Sequence, residues 1–162
     1  MKHVKTRREV RFEIVQVLYK YELLNEKIKI QEVFDEFPYL SKEQLLLIDR
    51  ISKNYDFLKK TLSQFINKDW EWNRISPVIR AILLTAGTEL FYLQPKVAIN
   101  EAIEITKIFF LKPINKDDKT YASYDDWQYK FVNGVLENYY KLLLKLEIFS
   151  AKSDFVANGT KK

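Results

Sequence analysis

The chain has 162 residues, of which 47% are hydrophobic and 15% aromatic, enough for one domain with a packed core. It contains no cysteine, so disulfides, thiolate nucleophiles and cysteine-ligated metal sites are excluded. The formal net charge is +5, and residues 1–11 carry five Lys or Arg against a single acid. A short basic cluster on an otherwise nearly neutral chain favours a polyanionic partner.

The predicted elements are helices throughout. Three glycines, four prolines and apolar residues at helical spacing predict an all-α fold with about seven helices. Proline and capping signals set their ends: Ser41 and Gln44 have capping-box spacing, and Pro77 directly follows Ser76, a helix-start pair. The predicted helices cover residues 4–24, 29–37, 41–51, 54–66, 76–93, 97–110 and 126–146.

We expect these helices to form one domain over residues 1–162. It has a basic N-terminal arm at residues 1–6, a long polar loop at residues 111–125 and an unstructured tail at residues 150–162. The N-terminus lacks the apolar stretch and cleavage site of a signal peptide, and no apolar run is long enough to span a membrane. A cytoplasmic protein without a membrane partner is therefore predicted.

The last predicted helix contains a conflicting signal. Asn133-Gly134 is a strong hairpin dipeptide by its local turn chemistry. However, Phe131, Val135 and Tyr139 keep a helical period through it, so we predict a helix. Gly134 is then expected to let a neighbouring helix approach closely.

Residues suited to catalysis are scarce. The single histidine, His3, lies in the basic arm, and no glycine-rich phosphate loop is present. Glu101 and Glu104 share a helical face, but a metal site in a helix bundle also needs Glu-x-x-His partners, which the chain lacks. We therefore predict a non-enzymatic protein with no metal site and no cofactor, in which this acidic pair is solvated helix surface.

The first helix carries the most informative pattern. Its apolar stripe consists of Val10, Ile14, Val17, Leu18, Tyr21 and Leu24. Beside the stripe, a second sector holds Arg7, Arg11, Val15, Arg8, Tyr19 and Phe12 in that angular order. Arginine pairs with phosphate oxygens and aromatic rings stack on unpaired bases, so this sector is typical of a single-stranded RNA-binding surface, the alternative being a merely solvated helix end.

Four segments of the chain together match the pattern of a known family. The first helix, RREVRFEIVQVLYKYEL, is similar to the opening of NusB proteins. RISPVIRAILLTAGTEL, PKVAINEAIEITKIF and KFVNGVLENY then resemble later NusB segments in the same order and at compatible distances. Together these segments cover about half of the chain, with INEAIE and KFVNGVL the most specific.

The resemblance implies two packed helical subdomains and a role in transcription antitermination that supports ribosomal RNA synthesis. It implies as partners single-stranded boxA-like RNA, the ribosomal protein NusE and the RNA polymerase antitermination complex, and it implies no catalysis. By position, the RNA-contacting residues correspond to Lys2, Lys5, Arg7, Arg8, Arg11, Tyr19, Phe109, Lys130 and Phe131. For Phe109 and Phe131, core packing is the alternative reading.

The region that faces NusE in the family corresponds to Ile79, Arg80 and Leu83. This chain departs from the family there, because Ile79 and Leu84 stand where many members carry charged residues. The segment between Phe110 and Tyr129 is also longer than the usual family loop.

Two alternative functions remain from sequence. The chain could be the RNA-docking NusB-like domain of a ribosomal RNA methyltransferase. It could also be a helical adaptor that binds only proteins, through an apolar patch formed by Ile79 and Leu84.

Overall fold

The computed structural model describes residues 4–66, 71–110 and 126–146. Within these ranges it contains seven α-helices, one 3-10 turn at Trp72–Arg74 and no strand, which confirms the predicted all-α class. The loop predicted at 111–125 and the tail predicted at 150–162 lie outside the described residues. The helices are α1 (Arg7–Leu24), α2 (Ile30–Glu36), α3 (Lys42–Lys53), α4 (Tyr55–Ser63), α5 (Pro77–Glu89), α6 (Pro95–Phe109) and α7 (Asp126–Lys145).

Local side-chain chemistry sets the helix ends. The capping box predicted at Ser41 and Gln44 is present, with both reciprocal hydrogen bonds formed. At the start of α1, the Thr6 hydroxyl accepts a hydrogen bond from the Glu9 amide at 3.1 Å. Pro95 opens α6, two residues before the start predicted from the apolar pattern, because proline needs no backbone donor in the first helical turn.

Helix α5 is the central helix of the fold. Every residue from Val78 to Leu90 is buried, and α1, α3, α4, α6 and α7 all contact this helix. A helix that is apolar on all sides needs neighbours on all sides. The core therefore forms around α5, and the surrounding helices expose only their outer faces.

Two buried ion pairs join α1 to α5. Arg11 near the start of α1 pairs with Glu89 at the end of α5, with Nε and Oε2 2.8 Å apart. Glu22 near the end of α1 pairs with Arg80 near the start of α5, with Oε1 and Nε 3.0 Å apart. The two helices are therefore antiparallel, and a reversed or shifted α1 would place charges against apolar side chains.

The two glycines in helices play different roles from those expected. Asn133 and Gly134 lie inside α7, so the predicted helix is confirmed. The expected close approach at Gly134 is wrong, because a Cβ at that position meets no atom of the described residues within 4 Å. Gly87 on α5 has nearer neighbours: its Cβ position lies 3.4 Å from Leu58, an ordinary contact distance, and its carbonyl accepts a 2.9 Å hydrogen bond from the Tyr139 hydroxyl.

Replacement of Gly134 by alanine is expected to stabilise the protein. Alanine is favoured over glycine in a helix interior by roughly 0.5–1 kcal/mol, and the site has room for the added methyl group. Urea unfolding should therefore show a higher midpoint with an unchanged slope. A lower midpoint would mean that a neighbour packs against Gly134 after all.

Candidate nucleic-acid interface

The outer face of α1 carries three of the side chains predicted to contact RNA. Arg7, Arg8 and Tyr19 are exposed, as the helical pattern of α1 predicts. Phe12 lies between them and is half-buried. Val15 is fully buried, so the buried face of α1 is wider than the predicted apolar stripe.

Arg8 is exposed but already engaged by an acid. Its Nε and Nη2 each donate to the Glu101 carboxylate of α6 at 3.2 Å. Hydrogen bonding and the charge of Glu101 raise the pKa of the Arg8 guanidinium, which stays cationic. Since about half of the Arg8 side chain remains open to solvent, it can reach a phosphate beside α1.

The expectation that Arg11 lies in the exposed sector is wrong. Its side chain is only 9% exposed and pairs with Glu89, and Nη1 also lies 3.8 Å from Glu101. The cause is the packing of α5 and α6 against this edge of α1. Burial raises the pKa of the Glu89 carboxyl, and the Arg11 charge acts in the opposite direction.

Lys5 is held by the protein rather than projecting freely. Its ammonium lies 2.7 Å from the Glu13 carboxylate and donates to the Gln44 side chain at 3.0 Å. It also lies over the ring of Tyr39, 5.4 Å from the centroid. Lys5 therefore ties the start of the chain to α3. Lys2 lies outside the described residues.

An aromatic pair joins α1 to the end of α6. The rings of Phe12 and Phe109 stack nearly in parallel, with centroids 4.7 Å apart and planes 10° apart. Next to this pair is a shallow depression of about 460 Å³. Its lining combines aromatic rings with an amide and a hydroxyl, from Gln16, Tyr19, Ser76, Val78, Phe109 and Phe110.

The start of α7 lies beside the end of α6. The Lys107 ammonium is 5.0 Å from the centroid of the Tyr129 ring, which links the two helices at this point. Lys130 is exposed, and half-buried Phe131 meets Trp127 edge-to-face with centroids 6.0 Å apart. Phe131 also packs against the core, as does Phe109, so each residue combines core contact with partial exposure.

The prediction that Ile79, Arg80 and Leu83 form an exposed face for a protein partner is wrong. Ile79 and Leu83 are completely buried and Arg80 is 6% exposed, because all three lie on the central helix α5. Leu84 is also completely buried, so Ile79 and Leu84 form no exposed apolar patch.

The Arg80 guanidinium is used internally. Its Nη2 donates to the Glu22 carbonyl at 3.0 Å and its Nη1 to the Trp72 carbonyl at 3.2 Å. Glu22 in turn accepts hydrogen bonds from the Tyr55 hydroxyl at 2.7 Å and from the Trp72 indole at 3.2 Å. These residues form a buried polar network at the end of α1.

The sequence analysis did not identify the charged residues of α5 and α6 that pair with side chains of α1. Glu89 and Arg80 are the charged residues of an otherwise uncharged and largely apolar segment, PVIRAILLTAGTE. An isolated charge in such a segment indicates a buried residue of opposite charge as its partner. Glu101 was interpreted as solvated surface, which is wrong because it holds Arg8 and contacts Arg11. Its partners lie about ninety residues earlier, too distant for a local pattern to indicate.

The described ranges 4–66, 71–110 and 126–146 contain no group of three or more acidic, histidine or cysteine residues placed to hold a metal ion. In the same part of the chain, no helix is both long and apolar enough to cross a membrane.

Comparisons with known proteins agree with this architecture. The sequence matches the model of the NusB family over residues 8–116. It is 31% identical over 140 residues to the transcription antitermination protein NusB of Staphylococcus haemolyticus, covering 82% of this chain and 98% of that protein. NusB of Staphylococcus aureus is 32% identical over 140 residues, covering 82% and 97%. A solved structure of T. maritima NusB superposes with a TM-score of 0.64 at 25% identity, covering 86% of this chain and 93% of that chain.

Replacement of Arg11 by methionine is expected to lower the free energy of unfolding by about 3–5 kcal/mol, because Glu89 is left buried without its counter-charge. Without Arg11, the already raised pKa of Glu89 rises further. The folded variant then binds this proton more tightly than either the unfolded chain or the unaltered folded protein. The stability loss therefore grows as pH rises through the raised pKa of Glu89 in the unaltered protein and levels off above the higher pKa of Glu89 in the variant.

The matched control is Arg7→Met, at an exposed position of the same helix. It is expected to change the free energy of unfolding by no more than about 0.5 kcal/mol. Equal effects of the two substitutions in denaturant titrations at acid and neutral pH would contradict a structural role for Arg11.

Proposed function

The chain belongs to the NusB family, and we propose that as a transcription antitermination factor it binds single-stranded boxA-like RNA together with the ribosomal protein NusE. In this role it joins the RNA polymerase antitermination complex and supports ribosomal RNA transcription. No residue has a catalytic role in this function.

One observation supports RNA binding above all: cations and aromatic rings share one strip of surface. The strip begins at Arg7 and Arg8 on α1, continues through Phe12 and Tyr19, and includes Phe109 at the end of α6. Exposed Lys130 and half-buried Phe131 lie in the first turns of α7, which packs against α6, and we include them. We refer to these residues together as the basic-aromatic strip.

The chemistry of the basic-aromatic strip suits a single strand better than a duplex. The guanidinium groups of Arg7 and Arg8 provide bidentate contacts to phosphates, and binding releases counterions from the RNA. Tyr19 and Phe109 provide faces or edges for bases, which are available for stacking only in an unpaired strand. Glu101 limits the net charge near Arg8, so affinity depends on base contacts as well as on phosphates.

The partnership with NusE rests on family membership. Ile79, Arg80 and Leu83 are buried, so a partner protein contacts other residues of this chain. The test of this part is whether purified NusE increases the affinity of the chain for boxA-like RNA over a scrambled strand.

The double substitution Arg7→Ala and Arg8→Ala is expected to weaken RNA binding by roughly tenfold to a hundredfold at low salt. Because two phosphate contacts are lost, the slope of log affinity against log salt should fall in magnitude by about 1.4. Fluorescence anisotropy with a labelled boxA-like strand over a salt series measures both quantities, with NusE present and absent.

The matched control is Lys53→Ala with Lys60→Ala, which removes the same charge from exposed positions on α3 and α4. It should leave most of the affinity in place. If both double variants bind equally well, or if the unaltered protein does not distinguish boxA-like RNA from a scrambled strand even with NusE, the proposed function is wrong.

A further inference from the structure

Phe12 and Phe109 line two different depressions on the surface. Phe109 lines the depression of about 460 Å³ that also includes Tyr19. Phe12 lines a second one of about 400 Å³, together with Ile108 and residues of the first turns of α1. Each ring of the stacked pair thus faces a different depression.

We propose that Phe12 is a base-stacking residue and that the depression in front of it is a second nucleotide site, distinct from the one at Tyr19 and Phe109. This inference rests on the proposed RNA binding and adds a specific site to it. A base on the outer side of Phe12 and another on the outer side of Phe109 form one stack with the two protein rings between them.

The lining of the second depression favours a base over a phosphate. The apolar part of its lining consists of Phe12 and Ile108, and Ile108 is 38% exposed. The charged residues at its border are Glu9, Glu13 and Arg8. Glu13 and Arg8 are already paired, with Lys5 and Glu101 respectively, so the lining provides no uncompensated positive charge for a phosphate. An aromatic base carries no charge and gains stacking contact with Phe12.

The surrounding groups give the RNA backbone a place beside this base. Arg8 borders the same depression, and its side chain is about half exposed. Arg7, one residue earlier, is exposed at the start of the helix. Phosphates on this side of α1 and a base over Phe12 are therefore compatible with one continuous strand.

The contact between Phe12 and Phe109 restricts the orientation of the Phe12 ring before a base binds. Phe109 packs against the core, and the near-parallel contact covers the inner face of the Phe12 ring. A ring held on one side loses little conformational freedom when a base stacks on its other side. Phe12 therefore combines an accessible aromatic surface with a fixed orientation.

The test uses boxA-like RNA strands that each carry one fluorescent aminopurine, placed at successive positions. Stacking on an aromatic ring quenches this base, so the unaltered protein should quench at two separate groups of positions. Phe12→Leu should restore fluorescence at one group and weaken binding about tenfold. Phe109→Leu should restore it at the other group.

Two further variants complete the design. Phe12→Trp keeps an aromatic face and should retain the quenching that Phe12→Leu abolishes. Phe34→Leu, at a 59% exposed phenylalanine on α2, should change neither affinity nor quenching. Circular dichroism of each variant checks that the helices are intact.

The outcomes separate the inference from the proposed function. RNA binding that is unchanged in both affinity and quenching by Phe12→Leu overturns the second site and leaves the proposed function in place. Absence of RNA binding by the unaltered protein overturns the proposed function, and the second site with it.

Discussion

The structure depends on two buried ion pairs that fix α1 against α5. In one pair α1 provides the cation, and in the other it provides the anion. Arg11 meets Glu89 at one end of the contact, and Glu22 meets Arg80 at the other. Apolar packing alone tolerates sliding and rotation of a helix, whereas a misplaced charge in a core is costly. The two pairs therefore define both the direction of α1 and its rotation.

That constraint determines what α1 presents to solvent. With Arg11 directed inward, Arg7, Arg8 and Tyr19 are directed outward, and Phe12 meets Phe109 of α6. Three arginines that are close in sequence thus have separate roles, one in holding the helix and two on the surface. Glu101 contacts both groups, because it binds Arg8 and lies near Arg11. The basic-aromatic strip is consequently attached to the core rather than carried on a loose arm.

The features that sequence predicted well depend on local chemistry. The capping box at Ser41, the proline start of α5 and the helix through Gly134 follow from interactions within a few residues. The features it missed depend on contacts between distant segments. Arg11 and Phe12 are neighbours on α1, and only the positions of α5 and α6 decide that one is buried against Glu89 while the other stacks on Phe109.

The same limit explains the error about the protein-partner face. Ile79 and Leu84 suggest an apolar surface because many family members carry charged residues at these positions, but the burial of α5 on every side is a property of the whole bundle. The charged residues of α5 were the available clue, since Arg80 and Glu89 in so apolar a helix require buried partners.

Photocrosslinking tests the central claim most directly: that anchoring α1 to α5 presents its outer face to RNA. The complex of the unaltered protein with thiouridine-substituted boxA-like RNA would be irradiated, and the crosslinked peptides identified by mass spectrometry. The account predicts crosslinks on α1 at Phe12 and Tyr19 and at the end of α6 at Phe109. Crosslinks confined to α3 and α4, with none on α1, would contradict it.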